Sequence, residues 1–234
     1  DVYKRQMMDP YLSLMTAANA TSRLKLGTGI ALLMERDLFS QAKTIASLDR
    51  LSNGRVMIGT GVGWNQEEFE NVSPHPFNKR YAVLRETVEA TRAIWSQHEA
   101  GYQGDYIKFD PVWADPKPLQ PGGPKIFMGA MGPLGRKHAA AWADGWYPVD
   151  VAMGEVAASV ASFRDEVRAA GRNPDDVEIN IQIMDTSNLD KLKEYRDIGI
   201  ERATIGVSMD LWDQPEAVMP MIDQYAEVIP HLAA

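Results

Sequence analysis

No cysteine occurs among the 234 residues. That absence excludes disulfides, Cys-based zinc sites and a thiol nucleophile, and it fits the reducing cytoplasm, where the protein is expected. Histidine is nearly as scarce: His75, His98, His138 and His231 are the full set. None stands in a metal-binding spacing such as H-E-x-x-H, so no metal site is expected. No apolar run approaches the ~20 residues of a membrane-spanning helix, so no membrane partner is expected. Basic residues are outnumbered, 24 Lys+Arg against 32 Asp+Glu, for a formal net charge of −8. That balance argues against nucleic acid as a partner. The opening DVYKRQ has no apolar h-region, so it is not a signal peptide. A possible back-translation resembles a transposase adapter used in sequencing libraries, and Asp1–Gln6 is expected to be a non-native scar.

What is present is a regular alternation of element types. Hydrophobic residues make up 45% of the chain, enough for a sizeable core. PYLSLMTAANATS (10–22) reads as a helix, with Leu12, Met15 and Ala18 at three-residue spacing and Pro10 in the first turn. RLKLGTGIALL reads as a strand of small and apolar residues. The next helix carries Phe39, Ala42, Ile45, Ala46 and Leu48 on one face and stops at Asn53-Gly54. RVMIGTG is a second strand, followed by a long amphipathic helix with Tyr81, Leu84, Val88, Thr91, Ile94 and Trp95 in register.

The Pro/Gly-rich stretch from about Gly101 to Pro124 is too long for an ordinary connection and is expected to be a lid or an insertion. Beyond it the sequence predicts KIFMGAMG, GWYPV, VEINIQIM and RATIGV as strands, each followed by a helix. Strict β-α alternation with apolar strands argues a parallel sheet, and residues 7–234 are expected to form one α/β domain. Six strands are countable from Leu24, and the chain opens on a helix with no strand before it. A complete (β/α)8 TIM barrel takes about 250 residues. The expected fold is therefore such a barrel lacking its first strand, first helix and second strand.

Gly59, Gly61 and Gly63 stand at alternate positions in GTGVG after a predicted strand. A dinucleotide fingerprint needs G-x-G-x-x-G running directly into a helix. Here the third glycine comes one residue early, and polar, proline-broken WNQEEFENVSPHPF follows. A P-loop fails because no Gly-Lys-Ser/Thr follows. The better reading puts Gly59 inside the strand and Gly61 and Gly63 at its C-terminal end, the active-site face of a barrel, where glycine lets a flat ligand lie against the main chain.

Five segments then carry a resemblance: ATSRLKLGTGIALL, AKTIASLDRLSNGRVMIGTGVGWNQEEF, KRYAVLRETVEATRAIW, DPKPLQPGGPKIFMGA and AAAWADGWYPV. Together, in order and with spacing kept, they resemble the bacterial luciferase-like flavin/deazaflavin oxidoreductases, in particular the coenzyme F420-dependent branch. The resemblance covers most of Met8 to about Val149. It implies a luciferase-like barrel that binds a reduced flavin or deazaflavin at the C-terminal ends of its strands. It implies a bulge with a non-proline cis peptide at Gly29–Ile30, so that Thr28, Gly29 and Ile30 support the ring from behind. Gly61 and Gly63 would line the ring edge, Glu67 would make a polar contact, and Gly129, Ala130 and Met131 would match the family's phosphate loop. Small residues and free N–H groups at a helix start suit a phosphate. This chain has Gly-Ala where Gly-Gly is common, and Pro133 removes one donor.

The acid that serves as catalyst in some sugar-phosphate-oxidising relatives is replaced here by Trp64, which is read as a pocket wall. No catalytic residue is assigned. The resemblance implies hydride transfer between F420 and a small organic substrate, with homodimerisation through the first two helices. An FMN-dependent monooxygenase and a non-catalytic truncated fragment are the alternatives.

Overall fold

The structure, a computed structural model, describes residues 8–184, 189–207, 211 and 214–232. The expected scar at Asp1–Gln6 lies outside the described residues. The chain divides into two compact units, residues 1–129 and 130–234.

The first unit begins with α1 (Pro10–Ala20), started by Asp9, whose Oδ1 accepts the N–H groups of Tyr11 and Leu12. Its buried residues are Tyr11 and Ala18; of the face read from the spacing, Ala18 is buried and Met15 half-buried, whereas Leu12 is 71% exposed. Tyr11 buries because its hydroxyl reaches Gln41 Oε1 at 3.3 Å, a long-range partner that local spacing cannot show.

β1 (Leu26–Ala31), β2 (Val56–Thr60) and β5 (Ile126–Met128) run parallel in the order β1–β2–β5. Between β1 and β2 lies α2 (Leu38–Leu51), capped by the Asp37 side chain and closed where Asn53 and Gly54 turn to positive φ, 58° and 72°. Ala42, Ile45, Ala46 and Leu48 are buried as expected. Phe39 is not in that core: it is 38% exposed and packs edge-on against Phe109 at 5.0 Å.

After β2 come α3 (Gln66–Val72) and α4 (Arg80–Ser96). Leu84, Val88, Thr91, Ile94 and Trp95 of α4 are buried, the face its periodicity predicts. The stretch after α4, expected to be a lid or an insertion, has regular structure of its own. It forms an antiparallel hairpin, β3 (Glu99–Gln103) and β4 (Lys108–Trp113). Its turn is held from α4: Glu86, buried, accepts the N–H groups of Asp105, Tyr106 and Ile107 at 3.1, 2.7 and 3.0 Å.

The second unit carries α5 (Pro133–Trp142), β6 (Gly145–Trp146), α6 (Val156–Ala169), β7 (Glu178–Ile183), α7 (Leu189–Asp197), β8 (Arg202–Ile205) and α8 (Pro215–Val228). β6, β7 and β8 are parallel. Ile179, Ile181 and Ile183 alternate along β7 on the buried face. The Trp146 and Phe163 rings pack 4.6 Å apart, tilted by 31°, in this unit's core, and the indole N–H donates to Ala130 O at 2.7 Å.

Candidate functional site

The ladder between β1 and β2 pairs Thr28 with Ile58 and then Ala31 with Thr60, so Gly29 and Ile30 stand outside the register. The Gly29–Ile30 peptide is cis, at the bond the resemblance singled out. Two hydroxyls fasten the bulge to β2: Thr28 Oγ1 donates to Gly59 O at 2.7 Å, and Thr60 Oγ1 donates to Ala31 O at 2.8 Å. Thr28 is buried and its hydroxyl is committed to the main chain, so its part is to position the bulge. Both Gly29 and Ile30 are exposed.

Ile30 explains two of the glycines. A Cβ on Gly61 would collide with Ile30 Cδ1 and lie 3.3 Å from Gly129 O; a Cβ on Gly129 would lie 2.9 Å from Ile30 Cγ2 and 3.3 Å from Thr60 O. The isoleucine side chain therefore lies across bare backbone at the ends of β2 and β5, while 43% of it remains exposed. Gly129 is itself hydrogen-bonded to Thr60 O at 2.6 Å. The result is an apolar surface, a platform of one side chain on bare backbone, at the C-terminal ends of three parallel strands.

Gly63, at φ 66°, leaves the platform in a conformation other residues rarely take. A Cβ there would stand 3.3 Å from Leu32 Cδ1 and 3.5 Å from Glu35 Oε1. Glu35 is half-buried in the turn that follows β1, and burial, then the charge of Glu68, pushes its carboxyl up to about 7. Sequence reasoning missed this acid. Nothing local in LLMERD marks it; its closeness to Gly63 is a product of the fold. Glu67 is exposed in the first turn of α3, where Asn65 Oδ1 accepts its N–H at 3.1 Å. Trp64 beside it is 73% exposed.

Gly129 ends the first unit; Ala130 and Met131 open the second. Ala130 is buried with its carbonyl bonded to Trp146, and the exposed Met131 accepts the Val149 N–H on sulfur at 3.2 Å. Arg136, in the first turn of α5, is engaged within its own unit. It pairs with Glu166 at 2.6 Å and lies over the Trp146 ring at 5.1 Å. Among the described residues no group of three or more His, Asp or Glu side chains is arranged to hold a metal, and no helix is long and apolar enough to cross a membrane.

The luciferase-like monooxygenase family model matches residues 2–198. An uncharacterized Mycobacterium tuberculosis protein is 41% identical over 212 residues, 88% of this chain and 72% of that protein. The F420-dependent hydroxymycolic acid dehydrogenase of Mycobacterium tuberculosis is 31% identical over 169 residues, 71% of this chain and 46% of that enzyme. An FMNH(2)-dependent dimethylsulfone monooxygenase of Pseudomonas fluorescens is 34% identical over 143 residues, 60% of this chain and 38% of that enzyme, so the named relatives include both F420-dependent and FMNH(2)-dependent enzymes. Among solved structures, an F420-dependent secondary alcohol dehydrogenase in complex with an F420-acetone adduct superposes with a TM-score of 0.77, covering 98% of this chain and 86% of that one. At 19% identity this likeness is one of fold, and the fold is of the TIM-barrel type. With its platform, its bulge and these relatives, the chain belongs to the luciferase-like monooxygenase family.

Proposed function

We propose that the protein is an F420-dependent oxidoreductase acting on a small organic substrate. The observation that carries this reading is the platform of Ile30 over Gly61 and Gly129 at the strand ends. When bound, a deazaflavin supplies hydride transfer at C5, and the protein supplies orientation and a dry surface. Ile30 and the exposed Gly29 support the ring, and Thr28 holds the bulge that presents them. Gly61 and Gly63 lie at the ring edge, with Glu67 as a polar contact from α3. On the second unit the same reading assigns phosphate contact to Ala130 and Met131, where α5 begins. The F420-dependent dehydrogenase among the relatives supports the choice of cofactor. The cytoplasmic location and the homodimer, formed through α1 and α2, belong to the same proposal.

A second reading, an FMN-dependent monooxygenase, is favoured by the family description and by the relative that uses reduced FMN. Parallel fluorescence titrations with F420 and FMN separate the two. Saturable quenching of F420 with FMN at least about tenfold weaker, ~1.4 kcal/mol, supports the first reading. Tighter FMN binding replaces it with the second, and binding of neither removes both.

A further inference from the structure

One face of the second unit's strands is polar where its opposite face is not. Along β7, Ile179, Ile181 and Ile183 are buried, while the alternate residues are Glu178, Asn180 and Gln182. Gln182 pairs in register with Thr204 of β8. Tyr147, just past β6, joins them: its hydroxyl donates to Gln182 Oε1 at 2.9 Å.

A phenol has one hydrogen to give, and here it goes to Gln182. With the carboxamide oxygen engaged, the amide NH2 must face the other way, and it has no partner among the described residues. It lies close to Gly206, where a Cβ would stand 3.0 Å from Gln182 Nε2 and 2.9 Å from Ile183 O, so glycine is what lets the amide sit there. The strand itself is fixed beneath this group, because Gln182 N–H donates to Pro148 O and Gly206 N–H donates to Ile183 O, both at 2.8 Å. Two residues deeper on the same face, Asn180 Oδ1 is buried without a partner, so the fold's own bonding does not absorb the polarity of this face.

We infer that Gln182 is a ligand-binding residue whose amide NH2, oriented by Tyr147 and given room by Gly206, donates to the carbonyl oxygen of a small organic ligand at the C-terminal ends of β6–β8. An uncharged carbonyl is the matching class because the donor is a neutral amide with two N–H bonds. This inference goes beyond the proposed function and does not depend on which cofactor is used.

The test needs no cofactor. Side-chain amide resonances of the full chain are followed by NMR during a titration with cyclohexanone, Gln182 being identified by the signal lost in Gln182→Met. The expected result is a saturable downfield shift of the Gln182 NH2 protons and cyclohexanone affinity about tenfold lower in Gln182→Met. Tyr147→Phe keeps the amide but removes the group that orients it, so affinity falls about threefold with the NH2 signal still present. A Gln182 signal unmoved at saturating cyclohexanone, or equal affinity in Gln182→Met, overturns the inference. Circular dichroism on each variant separates loss of the site from loss of the fold.

Discussion

A methyl group at position 129 would stand 2.9 Å from Ile30 Cγ2 and 3.3 Å from the Thr60 carbonyl, so the smallest possible side chain already competes for occupied space. Gly129→Ala is expected to destabilise the protein by about 1–3 kcal/mol, the usual range for overpacking. Ile30→Ala removes the crowding atoms, so the double variant should be more stable than the sum of the two single effects by about 1 kcal/mol. Urea unfolding of all four proteins measures this, and strict additivity would disprove the contact. Glu35 gives a second prediction at this scale. Its carboxyl is raised from 4.5 to about 7, by burial and then by Glu68, so the folded protein holds a proton that the unfolded chain releases. The stabilisation is fully present below about 4.5 and is lost as pH rises through about 7. Wild type should therefore lose thermal stability relative to Glu35→Gln across that window. Parallel melting curves of the two proteins would show Glu35 unperturbed.

The β3–β4 hairpin depends on a residue far from it in sequence. Glu86 lies on α4, 19 to 21 positions before the three turn N–H groups it accepts. Burial opposes the charge, but the N–H groups of Ile107, Tyr106 and Asp105 outweigh it and hold the carboxyl below its usual range. Its contribution is present above the ordinary carboxylate pKa and fades as pH falls through the lowered value. Glu86→Ala strands three donors, and the expected cost is on the order of 3 kcal/mol. Amide exchange at Asp105, Tyr106 and Ile107 should accelerate in the variant; unchanged protection there would show that the turn holds itself. This element was the main gap in the sequence reading. Gly101, Gly104 and Pro111 hide the two strands within what reads as an insertion, and the group that orders their turn sits on α4. Elements whose cues are local fared better: α2 stops at Asn53-Gly54, and α4 buries the face its periodicity marks.

At the scale of the molecule, a ligand that binds only the folded chain must raise its stability by mass action. Free F420 at 100 times its Kd should add about 2.7 kcal/mol to the unfolding free energy, and FMN at the same concentration should add less. Denaturant titration reads this directly, and a midpoint unmoved by F420 at concentrations that quench its fluorescence would mean that the quenching is not binding to the native state. Several features of this protein are settled by its sequence alone. The absence of cysteine excludes thiol chemistry, the β-α alternation sets parallel strands, and GTGI and GTGVG mark the strand ends. Those features are local, written in residue type and in periods of two and 3.6. Other features exist only once the chain is folded. Ile30 lies across glycines 31 and 99 residues further on, Glu35 meets Gly63, Glu86 ties down the hairpin, and Tyr147 holds the Gln182 side-chain oxygen. Each joins residues that no local pattern relates, because only packing brings their atoms within reach.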